Sequence, residues 1–400
     1  MINDANTPQR HLVFIGGSSE PGGLHIHTAD IAQSCAALGC RVTILCTSTD
    51  YFSRLLARDG VAVKVIGPID KRSWREWTST WLSLSADRAR PEIIFCCGHQ
   101  GEIRIADLAL ARLFGAAVYT IVHRPWEGPW TFHISKGCYG RVSSKFLKRV
   151  VAVSNEIAAN AADDFCIPAR KIAVCLNWAN PVFKVPTTAE RERARQALGI
   201  SPSTIVIAYL GRLAPEKRID ALLHAFAEVA AEVFSPLKLV LFGDGWKRQS
   251  LTEEAQALGI EESVHFFGWM TEPWSALRAC DIFVLPSVVE GFPLALVEAM
   301  AMGCACLAHR LPSAMQLIES GRHGLLADLS DPRSFVAALR VLIGKRPTAR
   351  TEMGLAAAAR VATEYSRARR LSEVLCALGL TVVVAPEFRL RRLEFDMGRA

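Results

Sequence analysis

The stretch "CDIFVLPSVVEGFPLALVEAMAMG", residues 280 to 303, holds the pattern from which the fold can be predicted. An apolar run typical of a buried strand leads through a short loop into a second apolar run with helical spacing. Pro293 suits the first position of a helix, because its fixed φ fits there and its missing N–H would have had no partner. We therefore predict a helix that begins near Phe292, with unpaired N–H groups at its tip that attract an anion.

Two carboxylates in this stretch allow two explanations. Glu290 precedes the predicted helix, and Glu298 lies inside it among apolar residues. Glu290 could be a local cap and Glu298 a solvated helix residue. Alternatively both bind a ligand, since a carboxylate is costly to bury unless something pairs with it.

The same alternation of strand and helix patterns continues along most of the chain. Uninterrupted apolar strands with helices between them indicate parallel sheets that are covered on both faces. We predict an α/β fold with two doubly wound Rossmann-like domains facing each other across a cleft. The predicted strands are HLVFIG, RVTILCT, VAVKVIG, EIIFCC, AAVYTIVH, RVVAVS, KIAVCLN, TIVIAYLG, KLVLFG, VHFFG, DIFVLPS and CACLA.

The length of 400 residues exceeds one ordinary core and favours two domains. Prolines, threonines and a charged cluster interrupt the pattern near Pro186, which predicts the boundary. We expect a first domain over residues 1–185 and a second over 186–360. Residues 361–400 are predicted to form a helix that packs back on the first domain, followed by a basic tail.

Composition describes a globular chain with 50% hydrophobic residues, 21% charged residues and a net charge of +7. Fourteen Lys or Arg against seven Asp or Glu fall between Lys64 and Arg149, so this stretch carries an excess equal to the whole. A basic first half implies a phosphate-bearing or otherwise anionic partner. The chain starts with polar residues and has no long apolar run, which predicts a cytoplasmic protein. Its twelve cysteines are scattered without a CxxC pair, which predicts reduced thiols.

Glycines and cations follow predicted strands in both halves. Gly22 and Gly23 precede a helix after the first strand, where either a plain turn or a ligand-binding loop fits them. The spacing is not GxGxxG and no acidic residue ends the second strand, so a nicotinamide dinucleotide site is poorly supported. Arg212 and Lys217 precede a helix in the second half, at the end where cations are disfavoured. They are either solvated or neutralise a diphosphate together with the helix tip near Glu290.

An ordered set of motifs resembles the family 4 glycosyltransferases of GT-B fold. The second half carries GRLAPEK, LVLFGDG, VHFFGWM, the stretch quoted first and GRHGLL; the first half carries PGGLHIHTADIAQSCAALG, VHRPW, VAVSNEIA and VCLNWANPVF. The resemblance extends from about His11 to Tyr365. It implies an enzyme that moves a sugar from a nucleoside-diphosphate sugar to a hydroxyl of a glycan or lipid-linked glycan, with retention of anomeric configuration.

The resemblance also implies roles for single residues. Arg212 and Lys217 would hold the diphosphate, Glu298 would accept from the ribose hydroxyls, and Glu290 would accept from hydroxyls of the transferred sugar. The backbone amides of Gly291, Phe292 and Leu294 would complete this cradle at the helix end. Gly22 and Gly23 of the first half are also expected to bind substrate.

Three further positions follow from the family pattern. His123 stands where family members carry a histidine close to the reacting sugar, although a histidine at a strand end is often structural. Phe267, Gly268 and Trp269 lie where the family holds the base, although they could equally be a packed strand end. His25 and His27 could suggest zinc with His123, but no carboxylate or thiol stands at ligand spacing. We expect no metal, no cofactor besides the donor, and no nucleic acid partner.

The chain departs from the family pattern in two loops. Pro312 and Ser313 replace a glycine pair, and Met315 and Gln316 replace Pro-Glu, which leaves the donor uncertain; His309 or Arg310 could compensate. Asn177 is followed by Trp178 where the family has glycine, which leaves the acceptor equally uncertain. A nucleotide-sugar epimerase of the same fold and a non-catalytic partner subunit are therefore alternatives.

A tryptophan stripe in the first half has two explanations. Its members fall on one face of a predicted helix with cations nearby, which suits either a buried helix face or a membrane interface. Docking on anionic lipid, at the inner face of a membrane, would bring the enzyme to a lipid-linked acceptor. The residues are Trp74, Trp77, Trp81, Leu84, Lys71, Arg72 and Arg75.

Overall fold

A computed structural model describes residues 10–16, 22–46, 61–65, 91–97, 103–125, 135–270 and 272–380. The tryptophan stripe and the tail beyond residue 380 lie outside the described residues, so the predictions made for them are not addressed by the structure. All twelve cysteines are described; they are free thiols, and eight of them are buried.

The first sheet has seven parallel strands in the order β3-β2-β1-β4-β5-β6-β7. The chain reverses direction along the sheet between β1 and β4, which is the topological switch point of a doubly wound fold. The strands are β1 His11–Gly16, β2 Arg41–Cys46, β3 Val61–Val65, β4 Pro91–Cys97, β5 Ala117–Val122, β6 Arg149–Ala152 and β7 Ile172–Val174.

The second sheet has six parallel strands in the order β10-β9-β8-β11-β12-β13. All twelve predicted strands are present, and the structure adds a thirteenth, β13, at the edge of the sheet, which was not predicted. The strands are β8 Ile205–Leu210, β9 Leu237–Phe242, β10 Val264–Gly268, β11 Ile282–Leu285, β12 Ala305–His309 and β13 Gly324–Ala327.

Helices cover the sheets, as the apolar strands require. The described helices are α1 Gly23–Ala37, α2 Ile105–Leu113, α3 Lys136–Phe146, α4 Asn155–Asp163, α5 Thr188–Ala197, α6 Ile219–Glu232, α7 Arg248–Ala257, α8 Pro273–Leu277, α9 Leu294–Ala301, α10 Pro312–Leu317, α11 Pro332–Gly344, α12 Pro347–Glu364 and α13 Arg367–Ala377. Among these residues, no helix is both long and apolar enough to cross a bilayer.

The helix after Glu290 begins later than predicted. Helix α9 starts at Leu294, because Pro293 has φ −78° and ψ 87° and its ψ is not helical. Pro293 is thus the residue before the helix, and its carbonyl oxygen accepts from the backbone N–H of Leu296 and Val297. Gly291 and Phe292 therefore belong to the loop before the helix.

The connection between the sheets is fixed to the second one by helix α5. Thr187 and Glu190 form a reciprocal capping box at its start. Further along, Arg191 and Arg195 both contact the carboxylate of Asp281, just before β11. The predicted domain boundary near Pro186 precedes this helix and stays a prediction.

One apolar core continues from the first sheet into the second. It includes buried residues of β1 and β5, helix α9 and the final helix α13, whereas a separate cluster fills the other face of the second sheet. The carboxyl end of β5 lies against the loop that leads into α9, since the His123 carbonyl is next to Gly291. This arrangement determines where the candidate site is.

Candidate functional site

Lys217 meets Glu290 at the carboxyl edge of the second sheet. Lys217 ends a short 3-10 turn in the loop after β8, and Glu290 lies in the loop after β11. The Lys217 Nζ lies 2.6 Å from Glu290 Oε1, and both side chains are only 15% exposed. The two loops are also joined through their backbones, since the N–H of Val288 donates to the carbonyl of Glu216 at 3.0 Å. A cation from one loop and a carboxylate from the next are thereby held at one point.

Arg212 lies in the loop of Lys217 but is more exposed. Its Nη2 lies 3.1 Å from Glu216 Oε1, and 42% of its side chain is accessible to solvent. Below it, the buried Tyr209 hydroxyl donates to the Arg212 carbonyl at 2.9 Å. The backbone of Arg212 is therefore anchored by Tyr209, while its side chain pairs with Glu216 and is partly exposed.

The loop of Glu290 is supported from the altered segment after β12. The Ser313 hydroxyl is buried and donates to the Glu290 carbonyl at 2.9 Å. His309 Nδ1 accepts from the N–H of Leu329 at 3.0 Å, and Met315 is 55% exposed. The side chain of Ser313 thus holds the backbone of Glu290 at the position where the family pattern has a glycine.

Gly291 lies directly against the first sheet. A Cβ atom added to Gly291 would come within 1.8 Å of the carbonyl oxygen of His123, which follows β5. Nearby, a Cβ added to Gly23 would lie 2.9 Å from Leu294 Cδ1. Glycines on both sides therefore permit close contact between the sheets. The structure brings Gly22 and Gly23, at the start of α1, and His123 to the same edge as Glu290 and Leu294.

Glu298 is buried one helical turn further along α9. It is 8% exposed, and desolvation raises the pKa of its carboxyl to about 8. It lines a cavity of about 20 Å³ that is otherwise formed mainly by the first domain and its connection. The residues around this cavity are Ile26, His27, Asp30, Trp178, Asn180, Leu294 and Glu298. A carboxyl in such a place is ready to ionise when a ligand supplies hydrogen-bond donors.

Two histidines of the first domain pack against each other beside this cavity. The ring centroids of His27 and His123 are 5.2 Å apart in an edge-on arrangement. Burial lowers the pKa of His27 to about 3 and that of His123 well below its usual value, so both rings are uncharged at neutral pH. Among the described residues, no three His, Cys, Asp or Glu side chains cluster closely enough to hold a metal ion.

The residues predicted to hold the base lie at the end of β10. The Phe267 ring packs 5.2 Å from that of Phe242, Gly268 adopts a left-handed φ of +70°, and Trp269 is 46% exposed. The N–H of Gly243 donates to the Gly268 carbonyl at 2.8 Å, which joins the loops after β9 and β10. These residues form a partly open apolar wall at the same edge as Lys217.

A buried ion pair that sequence reasoning missed fixes the last helix to the first domain. Arg367, the first residue of α13, places Nη2 2.6 Å from Asp30 Oδ1, and both residues are less than 10% exposed. The indole N–H of Trp178 donates to the other carboxylate oxygen at 2.7 Å. Asp30 could have been suspected from its place in an apolar helix, but nothing distinguishes Arg367 from its basic neighbours.

Two family models match the chain. The model of "Glycosyl transferases group 1" matches residues 190–360, and that of "Glycosyltransferase Family 4" matches residues 21–183. The two matched ranges together cover every strand except β1 and include Lys217, Glu290, Glu298 and His123, but not Arg367.

Individual relatives are distant. The chain is 27% identical over 199 residues to the Escherichia coli UDP-Gal:alpha-D-GlcNAc-diphosphoundecaprenol alpha-1,3-galactosyltransferase, which covers 49% of this chain and 51% of that protein. It is 25% identical over 360 residues to the D-inositol 3-phosphate glycosyltransferase of Corynebacterium urealyticum, covering 82% and 84% of the two chains. The match to the first of these relatives thus spans about half of that protein's length.

A solved structure shares the fold. The crystal structure of Anabaena HepE in complex with UDP and glucose superposes with a TM-score of 0.77 over 93% of this chain and all of the other, at 18% identity. At that identity the likeness concerns the fold alone.

Proposed function

Since this chain belongs to the group 1, or family 4, glycosyltransferases of GT-B fold, we propose that it transfers a sugar from a UDP-sugar to a hydroxyl of a glycan or lipid-linked glycan, with retention of anomeric configuration. The observation that carries the proposal is the contact between Lys217 and Glu290 at the tip of α9, next to His123 of the facing sheet. UDP is favoured because the E. coli relative is named for UDP-Gal and HepE was solved with UDP.

In this proposal the diphosphate binds at the tip of α9. Its oxygens would lie between Lys217, Arg212 and the N–H groups at the start of α9, where the helix dipole also favours an anion. Lys217 contributes a point charge and Arg212 a planar fork, so the two cations can neutralise both phosphates. As the bond to the sugar breaks, negative charge grows on the departing phosphate, and these groups stabilise it.

The rings on either side of the diphosphate would be held by the two carboxylates. Glu298 would accept from the ribose hydroxyls, which supply the donors that its buried carboxyl lacks. Glu290 would exchange its contact with Lys217 for hydroxyls of the transferred sugar. When the nucleotide sugar binds, each carboxylate thus gains hydroxyl groups that donate hydrogen bonds to it. Lys217 gains phosphate oxygens in place of Glu290.

The acceptor hydroxyl would approach from the first domain. We propose that the departing phosphate oxygen takes its proton, on the same face of the sugar that the leaving group occupied, which gives retention. The neutral His123 ring would contact the reacting sugar by hydrogen bonding and not by charge, since burial keeps it uncharged. Neither step requires a metal or any cofactor besides the donor.

A lipid-linked acceptor at the inner face of a membrane forms part of the proposal. The acceptor named for the E. coli relative is a diphosphoundecaprenol, which is a lipid. In this chain the first domain is basic, and Arg112, Lys145, Lys148 and Lys171 line a cavity of about 410 Å³ at the sheet edge away from His123. Sedimentation of the protein with phosphatidylglycerol vesicles, but not with phosphatidylcholine vesicles, is expected.

The decisive experiment separates binding from turnover. Thermal-shift titrations with UDP, GDP and ADP identify the base, and we expect the largest stabilisation with UDP. UDP-galactose and UDP-glucose are then incubated with and without GlcNAc-diphosphoundecaprenol, and products are followed by NMR, which also reports the anomeric configuration. Sugar transfer supports the proposal; conversion of the sugar nucleotide alone indicates an epimerase, and UDP binding without any turnover indicates a non-catalytic subunit.

A further inference from the structure

His27 occupies a central place in the interface between the two sheets. It lies in the first turn and a half of α1 and is only 3% exposed. Its ring centroid is 5.2 Å from that of His123 and 4.4 Å from that of Trp178, so the imidazole lies between the two. On its other side it lines the small cavity that Glu298 and Leu294 close from the second domain.

The polar atoms around His27 lack hydrogen-bond partners. Within the described part of the chain, neither ring nitrogen of His27 has a partner, and the same holds for Nε2 of His123 and Oδ1 of Asn177. All three side chains are more than nine-tenths buried. A buried polar group without a partner destabilises a fold by about 1–3 kcal/mol. Phenylalanine would fill the place of His27 without that penalty, so packing alone does not explain a histidine here.

The chemistry of these atoms indicates which ligand groups fit. An uncharged imidazole offers one hydrogen-bond donor and one acceptor. The rings of His27 and His123 and the amide oxygen of Asn177 together offer uncharged donors and acceptors. Hydroxyl groups match this set, because each hydroxyl both donates and accepts, whereas a phosphate would require cations. The aromatic face of Trp178 supplies an apolar wall of the kind that ligand pockets use beside their polar groups.

We propose that His27 is a sugar-contacting residue of this enzyme, which together with His123 binds a hydroxyl of the donor's sugar. The proposal rests on the proposed function, since it takes a nucleotide sugar as the ligand. The donor's transferred sugar is favoured because the His27 ring lies 5.2 Å from that of His123, whose carbonyl oxygen lies against Gly291, next to the Glu290 that would hold this sugar. Binding would give partners to buried nitrogens for which the described residues supply none.

The test compares His27→Phe with the wild type in two measurements. We expect the apparent Tm of the ligand-free variant to be equal or higher, because an unsatisfied polar group is removed. We also expect UDP to bind both proteins with the same Kd, whereas the tighter binding of UDP-glucose or UDP-galactose relative to UDP falls roughly tenfold in the variant, as loss of one hydrogen bond predicts. A merely structural histidine would not change the ratio between UDP-sugar and UDP.

Two further variants make the result unambiguous. His27→Asn keeps a hydrogen-bonding side chain and should retain part of the sugar-dependent affinity, and it replaces His27→Phe if that variant does not fold. His11→Phe is the matched control, since His11 is also buried in the first domain but pairs with Thr43 at 3.0 Å; it should lower Tm and leave the affinity ratio unchanged.

The outcomes distinguish this proposal from the proposed function. If UDP binds the wild type but the ratio is unchanged in His27→Phe, or if no UDP-sugar binds more tightly than UDP, the role of His27 is wrong while the donor site stands. If neither UDP nor any UDP-sugar binds the wild type, the proposed function itself is wrong. If zinc raises Tm of the wild type but not of His27→Phe, His27 is a metal ligand and the sugar role is overturned.

Discussion

The Nζ of Lys217 lies 2.6 Å from Oε1 of Glu290, although the two residues belong to loops after different strands of the second sheet. Exposed ion pairs contribute little to stability, but both of these side chains are mostly buried, so this pair is not of that kind. In the free protein each compensates the other's charge. We propose that a diphosphate and a sugar replace this contact when they bind, and that the pair holds both side chains in position until then.

Lys217→Ala should therefore reduce kcat by roughly two to three orders of magnitude, because charge stabilisation of the leaving group is lost. Initial rates at saturating donor measure this, with Tm recorded in parallel. The exposed Lys184 is a suitable control, and Lys184→Ala should leave both rate and Tm unchanged. Equal turnover of Lys217→Ala and wild type would contradict the role of this lysine.

Gly291→Ala should disrupt the contact between the two sheets. The added Cβ would meet the His123 carbonyl oxygen at 1.8 Å, and a backbone atom cannot move aside as a flexible side chain can. We expect a lower Tm and a loss of transfer of at least about tenfold, because a small displacement of catalytic groups is costly. Small-angle scattering should show a larger radius of gyration than the wild type has.

Gly344→Ala serves as the control for this substitution. Apart from its neighbours in the same helix, no atom of the described residues lies within 4 Å of the Cβ that would be added at Gly344, which ends helix α11. The change should be neutral or stabilising by about 0.5–1 kcal/mol, because alanine favours a helix. If Gly291→Ala behaves like this control, the close contact with His123 is not needed for activity.

Arg367→Ala should destabilise the protein strongly. It leaves the Asp30 carboxylate buried with the indole N–H of Trp178 as a partner, and within the described part of the chain no other cation pairs with it. Removing one member of a buried pair costs about 3–5 kcal/mol. Calorimetric Tm values for Arg367→Ala, Asp30→Ala and the double variant measure the coupling between the two side chains. We expect the double variant to lose less stability than the sum of the two single losses. Additive losses would mean that the pair contributes nothing beyond its separate parts.

Glu298 should make both stability and nucleotide binding depend on pH. Its pKa rises from an ordinary 4.5 to about 8 on burial, so the folded state holds a proton that the unfolded state has lost between these values. The contribution of this carboxyl to stability is therefore fully present below pH 4.5 and is lost as the pH rises through 8. Glu298→Gln should remove this dependence, with a gain on the order of 1–3 kcal/mol over the wild type at pH 8.

Nucleotide binding should show the opposite dependence on pH. Ribose hydroxyls donate to the carboxylate form, so UDP should bind the wild type more tightly at pH 8 than at pH 6, with release of a proton. In Glu298→Gln the affinity should be weaker and independent of pH over this range. Isothermal titration calorimetry in two buffers of different ionisation enthalpy measures both; a wild-type affinity that does not change with pH would exclude this role for Glu298.

The sequence by itself determined the architecture. Parallel strands that are buried on both faces must be apolar throughout, so runs such as HLVFIG and TIVIAYLG indicate strands without any knowledge of their partners. The order of motifs also predicted the residues at the strand ends, from Arg212 to Glu298. These are local properties, because a strand, a following glycine and a helix start lie within about twenty residues of one another.

Only the tertiary structure decided which of these residues meet. Three contacts join residues that are far apart in the sequence. The separations are 73 positions for Lys217 and Glu290, 168 for His123 and Gly291, and 337 for Asp30 and Arg367. The unsatisfied nitrogens of His27 are visible only once neighbouring elements have packed around them. Burial and proximity depend on the whole chain, and a local pattern carries no information about them; that is why the sequence could name candidate residues and could not assemble the site.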